Sequence, residues 1–275
     1  MGIFVRNLNK YGISSMQTVA LRVFFTAAVM AAFTLLYDKK LFKIKLRDWW
    51  CFFGTGICSI VFFNFCYFRT ITLTSLSAAA VLLYTAPIMV MAMSLFLFKE
   101  KLTARKIVAA VAAFAGCALV TGAADGSLAL NGIGVLTGLG SAFGYALYTI
   151  FGQFALNRGY NSVTITLYTF AFAAVGVLPF SDVPDLTDKI TAAPQVLGWA
   201  ALLAVLITVL PYLLYTLGLK TVEPGKASVM ASVEPVTATL VGTVFFSEPL
   251  SGMGAAGIVL VIVSLALLNI KTKKD

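Results

Sequence analysis

The 275-residue sequence predicts an all-α polytopic membrane protein built as an inverted five-plus-five repeat of transmembrane helices. Three observations carry that expectation. The chain is 60% hydrophobic and 11% charged, whereas soluble domains are about 45–50% apolar and about 25% charged. Apolar spans recur along its whole length. Its second half repeats the first at one fixed spacing.

Spans bounded by charges or turn residues fall at 15–37, 48–68, 74–98, 104–122, 131–156, 161–180, 194–217, 226–247 and 251–270. Each is close to the roughly 20 apolar residues that cross a bilayer. A short apolar stub at 2–8 precedes them and is numbered span 1, so the complete spans are 2 to 10. In span 6, Gly134/Gly138 and Gly140/Gly144 have the spacing that lets helix backbones approach where water drives no association.

The loops between spans 2 and 3, 4 and 5, 6 and 7, and 8 and 9, with the C-terminal tail, carry 15 of the 20 basic residues, Lys39, Lys99, Lys106, Lys220 and Lys274 among them. The opposite loops hold Asp125, Asp182, Asp185, Asp188 and Glu248. Basic loops stay at the cytoplasmic face, so the C-terminus is expected in the cytoplasm of a multi-pass cell-membrane protein. The net charge of +9 has the same origin, and no nucleic-acid partner is expected. Cys51, Cys58, Cys66 and Cys117 all lie in apolar runs without metal or redox spacing, and read as small buried hydrophobes.

The repeat is ungapped. Tyr67 matches Tyr215, Ala79 matches Ala227, Val81 matches Val229, Pro87 matches Pro235, Phe98 matches Phe246, Glu100 matches Glu248 and Leu102 matches Leu250, each pair 148 residues apart as 87 and 235 are. The two copies occupy 1–122 and 131–270. Five helices per copy is an odd number, so the second copy enters the membrane from the opposite face. Inverted copies can exchange conformations and open the midplane to either side in turn. Carried back 148 residues, the start of span 6 falls about seventeen residues before Met1. Helix 1 is therefore expected to be largely missing from this chain, through a start codon assigned too late or a shortened isoform.

The tracts Tyr84-Thr85-Ala86-Pro87 … Glu100-Lys101-Leu102 and Glu234-Pro235 … Glu248-Pro249-Leu250 resemble the two halves of EamA-type members of the drug/metabolite transporter superfamily. Gly12-Ile13-Ser14 followed by Arg22 fits the same pattern. The resemblance covers nearly the whole chain and implies ten helices, a central substrate cavity and a secondary transporter, here expected to export a small metabolite, amino acid or drug-like solute. The alternatives are a lipid or lipid-linked-sugar flippase and a non-transporting accessory protein. An enzyme is not expected, since His, clustered carboxylates and phosphate loops are absent from the sequence, and no cofactor is expected. The expected partners are a small-molecule substrate, the lipid bilayer and a coupling proton or exchanged solute, in a monomer or homodimer.

Charge inside a span is rare because it costs about 2.5–3.5 kcal/mol on insertion scales. Glu234, beside the kinking Pro235, and Arg22 in span 2 are thus candidate substrate-binding residues. Glu234 has Ala86 as its counterpart in the first copy. For Arg22 the alternative is snorkelling to the external headgroups. Asn64, Tyr84, Tyr145, Tyr148 and Tyr212 complete the candidate set, because aromatic walls with a few polar groups suit small-molecule sites. Tyr67, Gln153 and Tyr215 are further polar residues of the same kind, and Pro211 is expected to kink span 8. Glu100 and Glu248 are expected to bind nearby basic groups or loop backbone rather than ions.

Overall fold

The computed structural model describes residues 2–122, 131–246 and 249–270. Among them every regular element is helical: α1 (Gly2–Asn9), α2 (Ser15–Tyr37), α3 (Leu46–Leu73), α4 (Leu76–Phe98), α5 (Ala104–Val120), α6 (Gly132–Asn157), α7 (Ser162–Phe180), α8 (Gln195–Gly218), α9 (224–246) and α10 (Gly252–Asn269). Eight of these are long and apolar enough to cross a membrane. With 17 residues, α5 lies at the short end of the spanning range. One element differs from expectation: Val183–Ala192, read as loop from its charges, is a short helix opened by Pro184, a residue favoured in a first helical turn.

The chain divides into two compact units, Met1–Phe65 with Phe151–Thr221, and Cys66–Ile150 with Val222–Asp275. Each draws on both sequence repeats.

In the first unit, Ser14 and Gln17 form a capping box that starts α2, satisfying two amide donors that a helix end leaves free. Gln17 also donates to Asp185 at 2.6 Å, tying the short helix to α2. Helix α3 packs on α7 through Gly56, where a Cβ would stand 2.5 Å from the Thr169 carbonyl oxygen. The hydroxyls of Thr55 and Thr169 meet there at 2.6 Å. At the start of α3, Asp48 accepts from Arg158 at 3.0 Å and from the Tyr160 hydroxyl at 2.8 Å. The Arg158 guanidinium lies 4.7 Å over the Trp50 ring.

A wide π-turn occupies Gly54–Val61 in α3 and Val205–Val209 in α8. At the 148-residue offset the second falls on residues 57–61 of the first, so both repeats carry the same bulge. In α8 it precedes Pro211, whose missing amide the wider turn accommodates; α8 bulges there and continues.

In the second unit, α5 and α10 cross at Gly116 and Gly257. A Cβ on Gly257 would come within 2.6 Å of the Gly116 carbonyl oxygen, so neither position has room for a side chain. Gly134 and Gly138 of α6 pack similarly on Thr74 and Leu82, as the small-residue spacing suggests. Cys51, Cys66 and Cys117 are buried, Cys58 is half-buried, and none is in a disulfide among the described residues.

Candidate functional site

Helices α4 and α9 are both interrupted. A turn at Tyr84–Thr85 separates Leu76–Leu83 from Ala86–Phe98, and a turn at Ala231–Ser232 separates Pro224–Met230 from Val233–Phe246. Pro87 and Pro235 follow the two turns. A proline lacks the amide for a bond to the carbonyl four residues back and its ring clashes with that carbonyl. Those carbonyls belong to Leu83 and Ala231, and in α9 the Ala231 oxygen instead accepts from Glu234 N–H at 3.0 Å.

Both interruptions open on one small cavity. Its lining is Leu83, Tyr84, Ala86 and Pro87 from α4, Ser228, Ala231, Ser232 and Glu234 from α9, and Tyr145 from α6. Leu83/Ala231, Tyr84/Ser232 and Ala86/Glu234 are each separated by the repeat offset, so the cavity is walled by equivalent residues of both copies. Its volume is about 20 Å³, close to the smallest space that holds one water molecule. A site for a drug-sized solute needs about 300–1,000 Å³, so the cavity is closed to such a solute in this conformation.

Glu234 lies in the first turn of the second half of α9 and lines the cavity. A helix N-terminus favours a carboxylate by about 0.3–1 kcal/mol, which offsets part of the cost of placing one in a span. Tyr84 packs against the core of Cys117, Val236, Ile258 and Val261.

Arg22, Asn64 and Tyr212 belong to the first unit. Arg22 is 5% exposed, so the snorkelling alternative is overturned: the guanidinium turns inward, donating to Asn64 Oδ1 at 3.3 Å. Tyr212 sits edge-on to Phe170 at 5.1 Å. Tyr148 is buried in α6 and does not line the cavity. The structure thus gathers Tyr84, Tyr145 and Glu234 in one unit and Arg22 with Asn64 in the other. Gln153 donates to Asn157. Ser228, Ala231 and Ser232 were not singled out from sequence, although carrying Tyr84 across the offset finds Ser232.

Glu100 has the local role expected of it. Its carboxylate accepts from Lys106 Nζ at 2.8 Å and from Gly225 N–H at 3.1 Å, and Lys106 also bonds Glu223 at 2.6 Å. Its counterpart Glu248 lies outside the described residues, as do Asp125 and the lysines of the C-terminal tail. A larger depression of about 160 Å³, bounded by Ile88, Met91, Ala92, Leu102, Ile107, Ala110 and Val111, has an entirely apolar lining. It suits acyl chains and lacks the polar groups that orient a solute.

The family model described as the EamA-like transporter family matches residues 1–122 and again 132–270. The chain belongs to the EamA-like transporter family. Its EamA relatives include an uncharacterized transporter of Archaeoglobus fulgidus, 27% identical over 93% of this chain and 90% of its own length. The uncharacterized transporter YetK of Bacillus subtilis is 24% identical over 92% and 78%, respectively. The uncharacterized inner membrane transporter YicL of Salmonella typhimurium is 21% identical over 95% and 87%. A solved crystal structure shares the fold at a TM-score of 0.78 and 19% identity, over 96% of this chain and 91% of that one. This EamA chain is therefore a multi-pass membrane protein with a transporter's architecture, and both interrupted helices lie within the matched stretches.

Proposed function

We propose that this protein is a secondary active transporter that exports a small metabolite, amino acid or drug-like solute by alternating access, with its basic loops and C-terminus in the cytoplasm. The cavity walled by equivalent residues of the two repeats supports this reading most. Interrupted helices at a repeat interface are where such transporters bind substrate and coupling ion, and the interruptions supply the points at which α4 and α9 can bend to enlarge the cavity. Glu234 is the acid in its lining. It takes up a proton or accepts a hydrogen bond from the solute, and the Tyr84 and Tyr145 hydroxyls orient that solute. Energy comes from an ion gradient or an exchanged solute, as the sequence carries no nucleotide-binding loop.

The test is a metabolite comparison of cells with and without the protein, followed by transport of the enriched solute in reconstituted vesicles. Vesicles that move no such solute under any imposed gradient would overturn the transport reading. Unchanged pH-dependent transport by Glu234→Gln would remove proton coupling at that carboxylate.

A further inference from the structure

The charge of Arg22 is not balanced in the way those of Lys106, Arg158 and Lys189 are. Lys106 pairs with Glu100 and Glu223, Arg158 with Asp48, and Lys189 with Asp185. Arg22 sits two turns into α2, 5% exposed, and no ion pair to it is found among the described residues. A guanidinium stays charged and offers five N–H donors in a planar fork. One of these bonds Asn64 Oδ1, while the buried Nε has no hydrogen-bond partner among the described residues. Buried donors are nearly always satisfied, and a buried charge without a counter-charge is more costly still.

The surroundings hold this cation in place rather than neutralise it. The Asn64 amide donates to the Ile60 carbonyl at 2.7 Å, which fixes its oxygen toward Arg22. Ile60 belongs to the π-turn of α3, and such turns often mark functional sites. Tyr212, 148 residues after Asn64, follows the matching π-turn of α8 and lies in the same unit as Arg22, edge-on to Phe170. Asn64, which contacts the cation, and Tyr212 therefore hold equivalent positions in the two repeats, each just after a π-turn.

We propose that Arg22, Asn64 and Tyr212 form an anion site, and that the solute carries a carboxylate or similar oxyanion that docks on the Arg22 fork. The Nε–H and a neighbouring Nη–H supply the bidentate pair that matches carboxylate geometry. The site rests on the transporter reading and narrows its substrate class to anionic or zwitterionic solutes.

The experiment uses the full chain in vesicles loaded with a defined mixture of aliphatic and aryl carboxylates and their matched primary amides, with efflux read by mass spectrometry. The wild-type protein is expected to release acids at least about tenfold faster than amides, the ratio that a charge-assisted hydrogen bond confers. Arg22→Gln brings that ratio to about one, and Arg22→Lys, which keeps the charge and loses the fork, restores part of it. Circular dichroism and the melting temperature establish that each variant is folded. An undiminished ratio in folded Arg22→Gln overturns the proposal, as does wild-type release of amides as fast as acids. Movement of neither set also overturns it, while the metabolite comparison decides separately whether the protein transports. Vesicles with and without phosphatidylglycerol separate a solute anion from a lipid phosphate. The same ratio in both supports the solute, and a preference abolished by phosphatidylglycerol assigns the site to lipid and overturns it.

Discussion

Helices α4 and α9 contain the same device, a break ahead of a shared proline, with different residues around it. Each is interrupted just before a proline, and the two interruptions face one cavity. In α4 the position before the proline is Ala86, 2% exposed; in α9 it is Glu234, exposed. The apolar copy is closed into the packing, and the acidic copy lines the cavity. Duplication thus supplied the break in both halves, whereas polarity was placed in one. Glu100, the acid at the end of α4, is by contrast buried and paired with Lys106.

The largest expected effect is on transport. Glu234→Gln keeps size and most hydrogen bonds but not the proton or charge, and should slow uptake or efflux in vesicles by about 100-fold, in the range for loss of a positioned acid–base group. Ala86→Ser at the matching position should leave the rate within about threefold, because it keeps the half-helix and adds no charge. Placing the acid in the other copy is the converse test. Ala86→Glu introduces a charge where there is no exposure, and should destabilise the protein by about 2 kcal/mol or more, read as a lower melting temperature in detergent.

Gly225→Ala probes where the first half of α9 meets the end of α4. The new methyl would stand 2.8 Å from both Glu100 Oε1 and Met91 Cγ, and overpacking of this kind costs about 1–3 kcal/mol. The smallest effect belongs to Asp185, in the exposed short helix. Hydrogen bonds from Lys189 and then Gln17 hold its carboxyl below the usual carboxylate range. A lowered folded-state value means that the contribution is present above about pH 4 and is lost as pH falls through that value. Asp185→Asn should therefore lower the melting temperature slightly at neutral pH, and the difference should shrink as the pH is taken into the acid range.

Much of this arrangement was legible in the sequence, for definable reasons. Hydrophobic runs between charges locate bilayer-spanning helices because the solvent changes there. Pro87 and Pro235 signal their breaks because proline removes one specific backbone bond, and the shared offset ties the breaks to each other. Glu234 stood out because charge in a span is costly. Beyond the small-residue spacing of α6, the packing was not legible. Gly116 and Gly257 are not related by the repeat offset, and nothing local says that their backbones touch. The π-turn of α3 contains no proline, so its match to α8 is visible only in the backbone. The pairing of Arg22 with Asn64 joins α2 to α3 through side-chain direction, which residue spacing does not encode.

The central claim is that the cavity at the two interruptions must open and close for solute to pass. In a chain whose native cysteines have been replaced, Leu83→Cys and Ala231→Cys place one thiol on each interruption, and a short thiol-to-thiol crosslinker can join them. Joining α4 to α9 should stop transport in vesicles, and cleaving the crosslink by reduction should restore it to the rate of the unlinked double variant. Transport at the full rate with the crosslink quantitatively in place would contradict the claim.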